Sequence, residues 1–264
     1  NYTDTCEKIL EKSFLEFNTE YRYLEIADLF INHFKQNMKE LNCLPPTYEP
    51  RISDHISIIT GFIQKLIDNE NAYIDDGDVY FNVNSFSSYG KLSKQTINKD
   101  QKHFSLDFKL WDSDIPFFKS PWSDGKPDCI ECPIFASLYL GNQIDIHGGG
   151  VDLIFPHHEN SIAQIECLSD FQSCAYWMHV GLVNVNTEKM SKSLNNMITL
   201  QEVFSKFDPM ILRFFYLSHY YRSSLDFSFE DLIVTQQRYY QLCWAFQNYS
   251  IEQVELINIH ESLI

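Results

Sequence analysis

The sequence predicts an α/β fold, with helices packed round a parallel sheet, a small β-containing module inserted, and a helical C-terminal region. Three observations carry this. Apolar residues first recur at helical spacing. Their period switches to two over residues of about 70–112. From Ser120 onward, short apolar strand candidates alternate with helix candidates, and one strand runs into Gly148-Gly149-Gly150.

Between Tyr23 and Leu41, Ile26, Phe30, Phe34, Met38 and Leu41 fall three or four residues apart, the pattern of an amphipathic helix that Leu44-Pro45-Pro46 ends. A second helix follows Glu49-Pro50, with Ile52, Ile56, Ile59, Ile63, Leu66 and Ile67 on its apolar face. Val79, Phe81 and Val83 then alternate with polar residues after the turn signal Asp76-Gly77, as do Leu106, Phe108 and Leu110 before Trp111. Pro, Gly and Trp mark Ser120-Pro121-Trp122 and Gly125-Lys126-Pro127 as a loop. A helix is expected at Ile130–Leu140, a strand at Ile144–His147, a helix at Ile162–Leu168 and a second, buried strand at Trp177–Val185. A polar loop at 187–196 leads to helices that include Met210–Leu217 and Leu232–Phe246. The expected division is 1–68, 69–119 (the β-containing insertion), 120–199 and 200–264.

Composition bounds the function. With 264 residues, 44 % hydrophobic and 15 % aromatic, the chain has the material for a packed core and is not a disordered segment. Its 20 basic and 36 acidic side chains give a net charge of −16, which argues against coating DNA or an anionic membrane but leaves room for a local phosphate site. Seven cysteines at irregular spacing point to a reducing compartment, cytoplasmic or organellar, rather than a disulfide framework. No apolar run approaches the ~18–20 residues of a membrane span. The chain opens on Asn1 with no signal or transit pattern and is read as a piece of a longer protein.

Four constellations bear chemistry. Lys189-Met190-Ser191-Lys192-Ser193 sets two ammonium groups and two hydroxyls on a loop with little to bury. Such a loop is either simply solvated or closes over a triphosphate, where its lysines neutralise developing phosphate charge. In Ile144-Asp145-Ile146-His147-Gly148-Gly149-Gly150-Val151-Asp152 the glycines let backbone N–H groups approach a ligand, and Asp152 is placed to accept ribose hydroxyls; the plainer reading is a tight turn. Cys129-Ile130-Glu131-Cys132 is a C-x2-C with His157 and His158 downstream, a donor set suited to zinc or, equally, buried thiols and a hydrogen-bonded core histidine. His179, in Tyr176-Trp177-Met178-His179, stands at a strand end before the lysine loop, where it either approaches a nucleotide or belongs to the core.

Taken together these strings resemble the cysteinyl-tRNA synthetase family of class I aminoacyl-tRNA synthetases. The resemblance runs from Asn1-Tyr2-Thr3-Asp4 through Glu49-Pro50-Arg51, Gly77–Phe81, Tyr89-Gly90-Lys91-Leu92-Ser93, Asp107-Phe108, Leu110-Trp111 and Ser120-Pro121-Trp122. It is densest from Asp145 to Ser193, and Tyr221-Arg222-Ser223 and Phe227-Ser228 extend it. It implies a Rossmann-type catalytic fold, here partial, with an α+β connective-peptide insertion and a helical stem-contact segment. It implies ATP-dependent formation of cysteinyl-adenylate, with Mg, and transfer to tRNA(Cys). Lys189 and Lys192 would hold the phosphates, Gly148, Gly149, Gly150, Asp152 and His179 the nucleotide, and Thr3 the cysteine. Cys132 and His157 match two zinc ligands; zinc in the family binds the substrate thiolate and so excludes serine.

The sequence departs from the family in places. The His-Ile-Gly-His motif and an N-terminal zinc-ligating Cys belong upstream of Asn1, and without them this chain alone is expected to be inactive. The last zinc ligand, a Glu in the family, is Ser161. Asp128–Cys132 is one residue shorter than the family's Gly-Trp-His-Ile-Glu-Cys and lacks its Trp and His. Asn195 replaces a Gly, Tyr220 a His, and the stretch near Asn98–His103 is short. Two readings of the metal corner follow: Cys129, sharing a helix face with Cys132, replaces the lost ligand, or the zinc site is gone. Beside cysteine activation, two other functions stand: a non-catalytic synthetase-derived binding or scaffold subunit, and a cysteine ligase with a non-tRNA acceptor.

Overall fold

The computed structural model describes residues 1–19, 22–95, 106–141, 143–169, 171–185, 188–190 and 196–248. The chain forms two compact units, one comprising Asn1–Lys39 with Cys43–Leu182, the other Glu40–Asn42 with Val183–Ile264.

The first unit begins with helices α1 (Glu7–Phe17), α2 (Tyr23–Glu40) and α3 (Ile56–Asp68). Tyr2 bridges Arg51 in parallel, and the Asp4 carboxylate, 1 % exposed, accepts from the Ser53 N–H at 3.1 Å and hydroxyl at 2.6 Å. In α3, Ile59, Ile63 and Leu66 lie one turn apart and are fully buried, so the apolar spacing becomes one face of the core. The opposite wall is an antiparallel sheet of β1 (Ala72–Asp75), β2 (Asp78–Phe81), β3 (Phe108–Asp112), β4 (Phe118–Lys119) and β5 (Asp124–Pro127), in the order β1-β2-β3-β5-β4. Val79, Phe81, Leu110 and Trp111 fill it from the inside. Asp76 and Gly77 both take positive φ, which the β1–β2 turn requires.

The sheet corrects one expectation. Residues 124–127, read from Pro and Gly as loop, form β5 and pair with both β3 and β4. Gly125 is used for close approach: a Cβ there would collide with the Trp111 indole and the Asp112 carbonyl.

After the sheet come α4 (Glu131–Leu140), β6 (Ile144–Gly150), α5 (Glu159–Glu166) and β7 (Cys174–Val180). β6 and β7 pair in parallel from Ile144↔Cys174 to Gly150↔Val180. Trp177–Val185 was expected to be one buried strand. Instead β7 starts at Cys174, stops at Val180, and is half-covered: Trp177 and His179 face inward while Tyr176, Met178 and Val180 are exposed. Residues 183–185 form a separate strand, β8.

In the second unit, β8 (Val183–Val185) pairs antiparallel with β9 (Glu188–Lys189) and parallel with β10 (Leu225–Asp226). Its helices are α6 (Leu200–Phe204), α7 (Pro209–Leu217) and α8 (Phe229–Asn248). Thr199 caps α6 and Asp208, followed by Pro209, caps α7, each side chain accepting a first-turn backbone N–H. Arg213 donates to the carbonyls of Leu41, at 2.8 Å, and Asn42, fixing that short segment to α7. All seven cysteines are free thiols. Among the described residues no helix is long and apolar enough to cross a membrane.

Candidate functional site

In the first unit, the chemistry-bearing residues gather at the carboxyl ends of β6 and β7. The three glycines lie inside β6 rather than in a turn after it. Each has a different setting. A Cβ on Gly148 would meet nothing closer than the Met178 carbonyl at 3.9 Å. A Cβ on Gly149 would strike the His158 ring, and one on Gly150 would strike the Asp152 carboxylate. Gly149 and Gly150 therefore let the side chains of His158 and Asp152 close on the strand, and Gly148 leaves its backbone open.

A short 3₁₀ turn, Val151–Leu153, carries Asp152 outward, and a π-turn over Ile154–His158 leads into α5. His158 is only 6 % exposed. Its Nδ1 lies 2.8 Å from His179 Nε2, and its ring packs on Trp177, which stacks on His147 with centroids 4.4 Å apart. Burial, then the neighbouring His147, His179 and His157, pulls the His158 pKa down to about 4. His179 is lowered too, by burial. These rings are neutral at pH 7, so they act as hydrogen-bonding groups there, one ring nitrogen donating to the next.

The start of α5 is a hub. Its residues Glu159 to Ile165 are all buried, four of them polar. Glu159 accepts from the backbone N–H groups of Gly90 and Ser93, both at 2.8 Å, and so holds the Tyr89–Ser93 turn. Asn160 accepts from the Tyr89 hydroxyl. Glu166 pairs with Lys91 at 2.5 Å and accepts from Ser173 N–H at 2.9 Å, just before β7. Sequence reasoning missed this role of Glu159, Asn160 and Gln164. The available signal was an eight-residue helix with polar groups on every face, which demands buried partners.

The adjacent His157 turns the other way and is exposed. Its Nδ1 stands 3.5 Å from Cys129 Sγ. Cys129 does not share a helix face with Cys132, as the i, i+3 spacing suggested. It precedes α4, in the left-handed region at φ 54°, with its carbonyl accepting from the buried Gln164 side chain at 2.8 Å. That conformation directs its thiol to His157. Burial, then Asp128, pushes the thiol up to about 11. Cys132, in the first turn of α4, is exposed, with Sγ 3.6 Å from Asn1 Oδ1. The Ser161 hydroxyl donates to the His157 carbonyl at 3.0 Å.

Zn–S and Zn–N bonds of about 2.3 and 2.05 Å at a tetrahedral angle set sulfur and nitrogen about 3.5 Å apart, so the Cys129–His157 pair fits zinc. Position 161 does not: its hydroxyl is neutral and already engaged. Among the described residues no group of three or more Cys, His, Asp or Glu stands together as a metal set.

Thr3 is exposed and lines, with Tyr2, Asp4, Phe30, Phe34 and Tyr48, an open pocket of about 480 Å³ in the first unit. In the second unit Lys189 lies in β9, exposed, opposite Asn184. Its carbonyl accepts from Asn196 at 3.2 Å. Lys192 and Asn195 lie outside the described residues, as does the stretch 98–103.

Comparison with known proteins gives one family. The profile described as tRNA synthetases class I (C) catalytic domain matches residues 1–237. The cysteine--tRNA ligase of Persephonella marina is 44 % identical over 95 % of this chain and 54 % of its own length. That of Trichlorobacter lovleyi is 46 % identical over 88 % of this chain and 50 % of its own, and that of Aquifex aeolicus 41 % over 99 % and 55 %. The chain thus spans about half the length of the curated relatives it matches. Among solved structures, methionyl-tRNA synthetase of Mycobacterium tuberculosis bound by methionyl-adenylate superposes with a TM-score of 0.64 at 12 % identity, covering 88 % of this chain and 58 % of that one. Arginyl-tRNA synthetase of Plasmodium falciparum gives 0.51 at 11 %, covering 94 % and 44 %. These likenesses are of fold, and they agree with the Rossmann-type arrangement of β6, α5 and β7. By sequence and by fold, the chain belongs to the class I (C) tRNA synthetase catalytic-domain family.

Proposed function

We propose that the chain is part of the catalytic domain of a cysteine--tRNA ligase, which activates cysteine with ATP and transfers it to tRNA(Cys). The observation that carries this is the 41–46 % identity to cysteine--tRNA ligases over nearly the whole chain. The parallel β6–β7 pair supports it, because ligands of such sheets sit at the carboxyl ends of the strands. No comparison favours the scaffold reading or a non-tRNA acceptor.

In this reading the carboxylate oxygen of cysteine attacks the α-phosphorus of ATP, the bond to pyrophosphate breaks, and an aminoacyl-adenylate forms. A ribose hydroxyl of the tRNA then attacks the acyl carbon and AMP leaves. Gly148 offers open backbone to the nucleotide, and Asp152 and His179 accept or donate hydrogen bonds to it. Lys189 and Lys192 neutralise charge on the phosphates, with Mg bound to ATP. Thr3 contacts the amino acid. Cys129, Cys132 and His157 are the residues here that would hold zinc, which when bound supplies a soft Lewis acid for a thiol.

Charging of tRNA(Cys) with labelled cysteine by the complete gene product tests the reading. Charging is expected, with a loss of about 100-fold or more in Lys189→Ala, the scale on which single charge-stabilising donors act. Absence of charging by the folded complete protein overturns it.

A further inference from the structure

We infer that Asp4, acting through Ser53, is a positioning residue that holds Thr3 on the wall of the pocket it lines. The place of Thr3 beside the amino acid rests on the function proposed above; the clamp itself is argued from the structure.

Residues 1–4 are tied to the segment 49–53 on both sides of Thr3. Before it, the Tyr2 N–H donates to the Pro50 carbonyl at 2.8 Å, and the Tyr2 carbonyl accepts from the Ile52 N–H at 3.3 Å. The Tyr2 phenol donates to Glu49 at 2.6 Å, and Glu49 pairs with Lys35 of α2 at 2.7 Å. After Thr3, the two oxygens of the buried Asp4 carboxylate are given to one residue. Oδ1 accepts from the Ser53 N–H at 3.1 Å and Oδ2 from the Ser53 hydroxyl at 2.6 Å. Two bonds to one partner fix direction as well as distance. Thr3 takes part in none of these bonds and stands exposed on the pocket wall. A carboxylate is costly to bury, and an apolar pair would serve packing alone, so a clamp of this kind next to Thr3 points to geometry rather than to stability.

The anchor is itself fixed. His55 Nδ1 donates to the Arg51 carbonyl at 2.7 Å, so in the neutral ring Nε2 is the acceptor and takes the Tyr139 hydroxyl of α4 at 2.6 Å. Arg51 pairs with Asp28 of α2 at 2.7 Å, and Ile52 is buried in the core. Ser53 therefore sits in a segment braced by α2 and α4, and Asp4 passes that rigidity to its neighbour Thr3. If Asp4 only stapled the fold, its loss would lower stability and leave substrate binding unchanged.

The test uses the complete gene product and reads two quantities, hydrogen exchange of the backbone amides and ATP–pyrophosphate exchange. Asp4→Ala should speed amide exchange at Tyr2 and Ile52 by about 10-fold or more. It should raise the KM for cysteine by about 10-fold or more, with the KM for ATP within about twofold, since a displaced contact costs binding only where it is made. Asp4→Asn should stay close to wild type, because its side-chain carbonyl still accepts from the Ser53 N–H and the Ser53 hydroxyl rotates to accept from its amide. In a Thr3→Ala background, Asp4→Ala should change the KM for cysteine no further. A folded Asp4→Ala protein with a wild-type KM for cysteine, a KM for ATP that rises as much, or an effect that persists without the Thr3 side chain overturns the inference. If Asp4→Ala does not fold, Ser53→Ala, which removes only the hydroxyl, decides it by the same readings. Unchanged amide exchange overturns the clamp whatever the activity. Amide exchange that speeds up as expected, in a protein whose wild type shows no cysteine-dependent exchange, overturns the proposed function and leaves the clamp standing.

Discussion

His157 and His158 are neighbours in sequence and serve two different corners. His158 turns inward, against Gly149, Trp177 and His179, into a corner where every ring has a partner. His157 turns outward to Cys129, into a corner that also holds Ser161, whose hydroxyl donates to the His157 carbonyl. The same short helix fixes both. Its first residues tie down the Tyr89–Ser93 turn, and Gln164 on its far side holds Cys129. One heavily hydrogen-bonded support therefore positions two chemically different corners.

The largest effect is expected at that support. Glu159→Ala leaves the buried Gly90 N–H and the half-buried Ser93 N–H without their acceptor and should cost about 2–4 kcal/mol in urea unfolding. If it costs under ~1 kcal/mol, α5 is not the common support. Gly149→Ala should cost about 2–3 kcal/mol, because its Cβ overlaps the His158 ring and the core must shift. An acid titration supplies a reference outside both corners. Burial works against ionisation of Asp78, but hydrogen bonds from Lys109 at 2.8 Å and from Ser113 hold its pKa down to about 2. The folded pKa lies below the unfolded value near 3.8. Its contribution is therefore present above pH 3.8 and lost as pH falls toward 2, about 2 kcal/mol that Asp78→Asn removes. The smallest stability effect is predicted for Gly148→Ala, within about 0.5 kcal/mol, since the space is open. Its consequence should instead be a raised KM for ATP. The two alanine substitutions, one position apart, sharpen the contrast between a glycine kept for packing and one kept for access.

Periodicity made most of the first unit legible. The runs in α2 and α3, the Asp76-Gly77 turn and the helix α4 all follow from local spacing and turn chemistry. The strand β5 was not legible, because Pro and Gly signal loops locally, whereas Gly125 is selected by Trp111, a neighbour from another strand. The exposed outer face of β7 was likewise hidden: Tyr176, Met178 and Val180 are apolar, and composition alone does not say which side of a strand is covered. At the site, the glycines and histidines stood out by motif, yet the division of labour between His157 and His158 depends on a turn over Ile154–His158 that no spacing rule encodes. The left-handed backbone of Cys129 is set by Gln164, 35 residues away, so a helix-face argument placed it wrongly.

The most direct test of the account is ATP–pyrophosphate exchange by the complete gene product, with cysteine and with serine in parallel. Exchange that depends on cysteine and ignores serine is the predicted result. A folded protein that exchanges with neither amino acid, or equally with both, contradicts the account.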